Sequence, residues 1–251
     1  MIEPWLYPVL TAVAVLTGFI DSIAGGGGLI MMPALLFAGV PPINALATNK
    51  LQSMFGTATA CLNYARKGLV DWRSNWLSVV LIFVAASAGV IVVQSVDTKA
   101  LALVIPLLLM VVALYVLVSP RMNDEDAHHR VSARAYSPIG AAIGFYDGFF
   151  GPGTGSFFTA TLVALRGLGL TRATALTKLF NLTSNIAAVL LFAIGGHMFW
   201  LLGMCMAGGA MLGGWIGSHT AMRFGASVIR PLLVTLSLAL TARLLWSYFS
   251  T

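Results

Sequence analysis

Lys50 and Lys178 each sit inside an apolar run of membrane-spanning length, and each sits in a similar local sequence. Ala45-Leu46-Ala47-Thr48-Asn49-Lys50-Leu51 aligns with Ala173-Thr174-Ala175-Leu176-Thr177-Lys178-Leu179. A charge at the centre of a bilayer costs at least ~2.5 kcal/mol, so it normally marks a site or a pathway. The chain has four lysines, and only these two lie well inside apolar segments. Asp21 and Asp147 are the matching acids, the only ones outside loops and termini. Each opens a glycine-rich stretch: Asp21-Ser22-Ile23-Ala24-Gly25-Gly26-Gly27-Gly28 and Asp147-Gly148-Phe149-Phe150-Gly151-Pro152-Gly153-Thr154-Gly155.

These residue types suit a compact anion. Lysine supplies the countercharge. A helix that restarts after a glycine break supplies N–H groups and the positive end of its dipole. Gly25, Gly26, Gly27, Gly28, Gly151, Gly153 and Gly155 also let backbone approach a ligand closely. Thr48, Asn49, Thr177, Asn181 and Asn185 are near enough in sequence to donate hydrogen bonds. Asn181 follows Lys178 by three residues and Asn185 lies one turn further, so the three share a helix face. Simpler readings stand beside this one. Asp21 could pair with Lys50, and Asp147 with Lys178, as structural ion pairs or as proton-coupling carboxylates. The glycines could serve only close helix packing.

The elements that hold these residues follow from composition. The chain has 251 residues, of which 59% are hydrophobic and 9% charged, and its mean hydropathy is +0.91. That is an all-α polytopic membrane protein, embedded in lipid. The net charge of +6 reflects loop residues that orient the chain, and no nucleic-acid partner is expected. Spans are expected at about 43–64, 74–96, 100–118, 173–195, 198–217 and 228–249. Residues 5–39 and 137–168 read instead as broken or re-entrant hairpins with tips inside the protein. Trp5–Ile20 reaches only ~24 Å at 1.5 Å per residue. The total is about eight full spans, or ten segments counting the short ones.

Basic clusters set the sidedness. Arg66, Lys67 and Arg73; Arg121, Arg130 and Arg134; Arg166 and Arg172; and Arg223 with Arg230 all fit on the cytoplasmic side. Both termini then lie outside. The lysine segments run in opposite directions, so residues 1–118 and 137–251 form two inverted-topology repeats joined by a cytoplasmic polar linker, 119–136. Gly18-Phe19-Ile20-Asp21 matches Gly144-Phe145-Tyr146-Asp147, and Pro106 pairs with Pro231.

Other features read as structural. Gly209, Gly213 and Gly217 form a helix-packing face. Cys61 and Cys205 are expected as buried free thiols. Trp5, Tyr64, Trp72, Trp76 and Trp200 fit interfacial belts. His128 and His129 belong to the linker, and Arg243 snorkels toward the surface. No metal or cofactor is assigned. Neither glycine cluster is a P-loop, because no Gly-Lys-Ser/Thr follows.

Gly-Phe-x-Asp, a glycine-rich stretch and a downstream Ala-x-x-x-x-Lys, once per half, resembles the sulfite exporter TauE/SafE family. The resemblance covers essentially the whole chain. The second copy has Pro152 and Thr154 where the first has Gly26 and Gly28. The resemblance implies transport of sulfite or small organosulfonates across the bacterial inner membrane. With the cytoplasm negative, an anion leaving gains ~2.3 kcal/mol per charge per 100 mV, so export needs no coupling ion. An anion channel, or an exporter of another anion such as thiosulfate or a carboxylate, fits the same residues. An enzyme does not: no His-Glu-x-x-His is present, and no catalytic residue is assigned. A homo-oligomer is compatible with the sequence.

Overall fold

The computed structural model describes residues 3–97, 99–101, 104, 105, 107–109, 111 and 131–225. Eight helices run through the described residues. They are α1 (Leu6–Ala24), α2 (Gly27–Phe37), α3 (Pro42–Arg66), α4 (Trp76–Gln94), α5 (Ala133–Phe149), α6 (Thr154–Arg166), α7 (Leu170–Ile194) and α8 (Trp200–Phe224). The described part of 99–111 is also helical. The expected span 228–249, most of the linker, Arg121, Arg130, Arg230, Arg243, Pro106, Pro231, His128 and His129 lie outside the described residues. The linker's last residues, from Ala133, already belong to α5.

Local sequence sets the helix ends. Pro42 opens α3 at a position where its missing N–H has no partner to lose. Ser132 caps α5 by accepting from the Ala135 N–H at 3.2 Å. Gly25 closes α1 with a left-handed φ of 75°, and its N–H bonds the Asp21 carbonyl at 2.8 Å. The second break turns on Gly151 (φ 98°) and Gly153 (φ 84°), a conformation that costs a side chain about 1–2 kcal/mol. Both breaks are shorter than the sequence reading had them. Asp21 and Asp147 stay helical, and only Gly25–Gly26 and 150–153 leave the helices. Consequently α1 has 19 residues, not the short stub expected, and it is long and apolar enough to cross a membrane. So are α4, α7 and α8 among the described residues. At 25 residues, α3 is ~37 Å long, but it carries a polar face.

Packing puts α3 and α7 at the centre. They touch each other, α1 lies along α8, and α5 lies along α4. Glycine permits these approaches. A methyl group added at Gly209, Gly213 or Gly217 would collide with the carbonyl oxygens of Thr11, Val15 and Phe19 on α1. The expected packing face is therefore real, and it is the seam between α8 and α1. Gly148 meets the Ala86 carbonyl in the same way, across the α4–α5 seam. Large apolar side chains such as Val84, Ile91, Leu190, Leu201 and Leu212 remain exposed, while Lys50, Asn49, Lys178 and Asn181 are buried. This inside-out distribution is what lipid as solvent requires.

Two expectations at the periphery change. Cys205 is an exposed free thiol on the outer face of α8, whereas Cys61 is buried. Tyr64 is wholly buried, not interfacial, because its hydroxyl finds the Ser22 carbonyl at 3.0 Å. Trp5, Trp72, Trp76 and Trp200 are exposed near helix ends, as a belt would be.

Candidate functional site

The two breaks meet in the middle of the protein. A Cβ on Gly25 would strike the Gly155 backbone, and the Ser156 hydroxyl donates to the Ala24 carbonyl at 3.1 Å. The first turns of α2 and α6 therefore start from one place. Beside them lies a small polar cavity of about 30 Å³. Lys50 and Asn49 from α3, Asn181 and Asn185 from α7, and Asp21 and Asp147 from the ends of α1 and α5 line it. So do Gly25, Gly28, Gly151, Gly153 and Gly155. Room of this size holds a water or two.

The ion pairs cross between the halves. Lys50 Nζ donates to Asp147 Oδ1 at 2.7 Å and to Asn185 Oδ1 at 3.1 Å. Lys178 Nζ donates to Asp21, to its Oδ2 at 3.1 Å and to its backbone carbonyl. The expected pairing, Asp21 with Lys50 and Asp147 with Lys178, is thus wrong. Central helices α3 and α7 each point their lysine at the broken helix of the opposite half. An acid and a lysine close in sequence register need not be close in space when another helix stands between.

The pairs also differ in surroundings. Asp147 has both oxygens engaged: Lys50 donates to Oδ1 and the Ser184 hydroxyl to Oδ2, and 5% of its side chain is exposed. Asp21 keeps 24% exposed. Lys50 lines the cavity, and Lys178, with 0% of its side chain exposed, does not.

Residues 10–244 match the family described as Sulfite exporter TauE/SafE. The chain belongs to this family. It is 43% identical to "Probable membrane transporter protein YfcA" of Escherichia coli (strain K12) over 98% of this chain and 92% of that protein. A "Probable membrane transporter protein" of Haemophilus influenzae is 40% identical over 96% of this chain and 95% of its own length. "Probable membrane transporter protein ORF9" of a Sinorhizobium species is 44% identical over 96% and 92%. No solved structure matches the chain. TauE/SafE membership and the apolar helices together make this a multi-pass membrane transporter.

Not every expected site residue of this TauE/SafE chain reaches the cavity. Thr48 accepts from the Phe199 N–H at 3.3 Å, and Thr177 bonds Thr159 at 3.1 Å. Both hold neighbouring segments. Gly26 is the turn residue before α2, and Gly27 lines a narrower recess of about 10 Å³ next to the cavity. Three lining residues escaped the sequence reading: Ser53, Thr57 and Thr154. The first two carried a signal. Ser53 and Thr57 follow Lys50 by three and seven residues, as Asn181 and Asn185 follow Lys178. Both sets share one helix face with their lysine. Thr57 accepts from Asn185 Nδ2 at 3.4 Å, joining the two faces. Asn181 Oδ1 has no hydrogen-bond partner among the described residues.

Proposed function

We propose that the protein is a secondary transporter that exports sulfite or small organosulfonate anions across the bacterial inner membrane. The observation that carries this reading is the convergence of Lys50 and the first turns of α2 and α6 on one small polar cavity. A lysine and two helix starts give a compact oxyanion a countercharge and N–H donors. Ser53, Thr57, Asn49, Asn181 and Asn185 add hydrogen-bonding groups around it. In the described arrangement Asp147 stands in for the anion on Lys50. Substrate entry exchanges that carboxylate for the oxyanion and widens the space between the breaks.

Architecture supports alternating access. We read the chain as two inverted repeats contributing about eight spans, with both termini on the periplasmic side. A broken helix pair followed by two unbroken helices recurs, as α1–α4 and α5–α8, and the seams α1–α8 and α4–α5 would correspond under that symmetry. The crossed ion pairs tie the repeats to each other. Repeats that rock against one another around a central site are the working principle of many secondary transporters.

The test is flux. Proteoliposomes loaded with sulfite should release it saturably, and faster when the interior is negative, because the field favours the outgoing anion by ~2.3 kcal/mol per charge per 100 mV. Release unchanged by potential, or equal to that from empty-lipid controls, would remove the proposal.

A further inference from the structure

The two lysines do different work. We infer that Lys178 is a positioning residue, one point of a clamp on the end of α1, and that only Lys50 of the pair meets the anion. The Lys50 half rests on the reading above. The Lys178 half rests on its own contacts.

The last turn of α1 is held from three other helices. Lys178 on α7 donates to the Asp21 carbonyl. Tyr64 on α3 donates to the Ser22 carbonyl at 3.0 Å, and Ser156 on α6 to the Ala24 carbonyl at 3.1 Å. The Asp21 carbonyl also accepts from the Gly25 N–H at 2.8 Å, so Lys178 is its second partner. Carbonyls at a helix end otherwise lack partners within their own helix, and a cation there is favoured by the dipole. Lys178, which does not itself line the cavity, thus places its charge on both the dipole end and the Asp21 carboxylate.

Among the described residues, no side chain from another helix bonds a backbone carbonyl of the other break; the contacts that reach it from α3 and α7 fall on the Asp147 carboxylate, from Lys50 and Ser184. Its residues bond mostly among themselves: Thr154 Oγ1 donates to the Gly151 carbonyl at 2.6 Å and Tyr146 to the Pro152 carbonyl at 2.7 Å. The sequence explains why. Phe192 stands after Lys178 as Tyr64 stands after Lys50, and Ile30 stands after Asp21 as Ser156 stands after Asp147. Phenylalanine and isoleucine have no side-chain donor. Lys50, the register partner of Lys178, bonds side chains in the cavity and no α5 carbonyl. The first tip is therefore anchored through its backbone, and in this inference the rearrangement that admits the anion falls on the Lys50–Asp147 side, where the bonds join side chains that an anion can replace.

The test needs no anion. In a Cys61→Ala, Cys205→Ala background, a Ser22→Cys reporter reads opening of the α1 end, and a separate Ser78→Cys reporter on α4 reads general loosening. Lys178→Met should raise N-ethylmaleimide labelling at position 22 by roughly 10-fold or more, with position 78 within about 3-fold of its starting rate. Tyr64→Phe should raise it in the same direction by about 3-fold, and Lys50→Met should leave both sites within about 3-fold. Unchanged labelling at position 22 in Lys178→Met and Tyr64→Phe would overturn the clamp. So would both reporters rising together, which is global unfolding. Sulfite added to the unlabelled variants gives the second readout: Lys178→Met should keep its sulfite-dependent thermal shift, and Lys50→Met should lose it. Loss of the shift in Lys178→Met with position 22 still protected would make Lys178 an anion ligand. Absence of a shift in the parent protein counts against the sulfite reading and leaves the labelling result intact.

Discussion

Lys50 on α3 and Asp147 on α5 lie 2.7 Å apart, Nζ to Oδ1, although 97 residues separate them in the chain. The pair is buried and joins opposite halves of the molecule. A buried pair is weak evidence for stability, but breaking it leaves an uncompensated charge. This one ties the countercharge of the cavity to the element across from it.

A double-mutant cycle should find that link. Lys50→Met and Asp147→Asn are expected to couple by about 1–3 kcal/mol in thermal unfolding, as residues in contact do. The same-half combination of Lys50→Met with Asp21→Asn should couple less. A larger coupling in the same-half cycle would contradict the crossed arrangement.

The helix seams make a second expectation. Gly213→Val places a side chain against the Val15 carbonyl, whereas Gly208 has nothing within 4 Å of an added Cβ. Gly213→Val should therefore destabilise by about 2 kcal/mol or more, the scale of forced overpacking. Gly208→Val, one helix face away, should change the melting temperature little. Equal effects at the two positions would show that α8 and α1 do not meet along this line.

Much of this was legible from residues alone, and the failures have physical causes. Charge in lipid is unfavourable enough that both buried lysines stood out, and Lys50 lines the central cavity whereas Lys178 does not. Glycine at Gly209, Gly213 and Gly217 announced close packing by its spacing. The pairing of Lys50 with Asp147 was not legible, because sequence offset says nothing about which of two facing helices an ammonium reaches. Ser53 and Thr57 were missed for another reason. Serine and threonine are common as back-bonded residues in membrane helices, as Thr57 is here to the Ser53 carbonyl at 2.7 Å. Only their spacing from Lys50 set them apart. Tyr64 was misplaced because an amphipathic ring suits either an interface or a buried carbonyl, and here the Ser22 carbonyl was within reach.

Those two hydroxyls supply the third expectation. Ser53→Ala and Thr57→Val remove hydroxyls that line the cavity while leaving the ion pairs in place. Each should weaken sulfite transport by raising the apparent KM roughly 3- to 10-fold, about one neutral hydrogen bond, with little change in melting temperature. Concentration-dependent flux in proteoliposomes measures this. An unchanged KM in both variants would move the substrate away from this face of α3.

Ser184 offers a fourth. Its hydroxyl holds Asp147 Oδ2, so Ser184→Ala should free the carboxylate to compete differently for Lys50. A hydrogen bond to a charged group contributes about 1.5–3 kcal/mol, and a loss of unfolding free energy on that scale is expected. Ser184→Thr, which keeps the hydroxyl, should recover most of it. Recovery by Ser184→Val instead would show that shape, not the hydrogen bond, matters there.

The most direct measurement is a thermal-shift screen of sulfite, sulfonates, thiosulfate, sulfate and carboxylates against the parent protein and Lys50→Gln. Ligand that binds the folded form raises stability by about 2.7 kcal/mol at one hundred times its Kd. At least one of these anions should stabilise the parent protein, and Lys50→Gln, still folded, should lose that stabilisation. An anion that stabilises both proteins equally would contradict a central site built on Lys50.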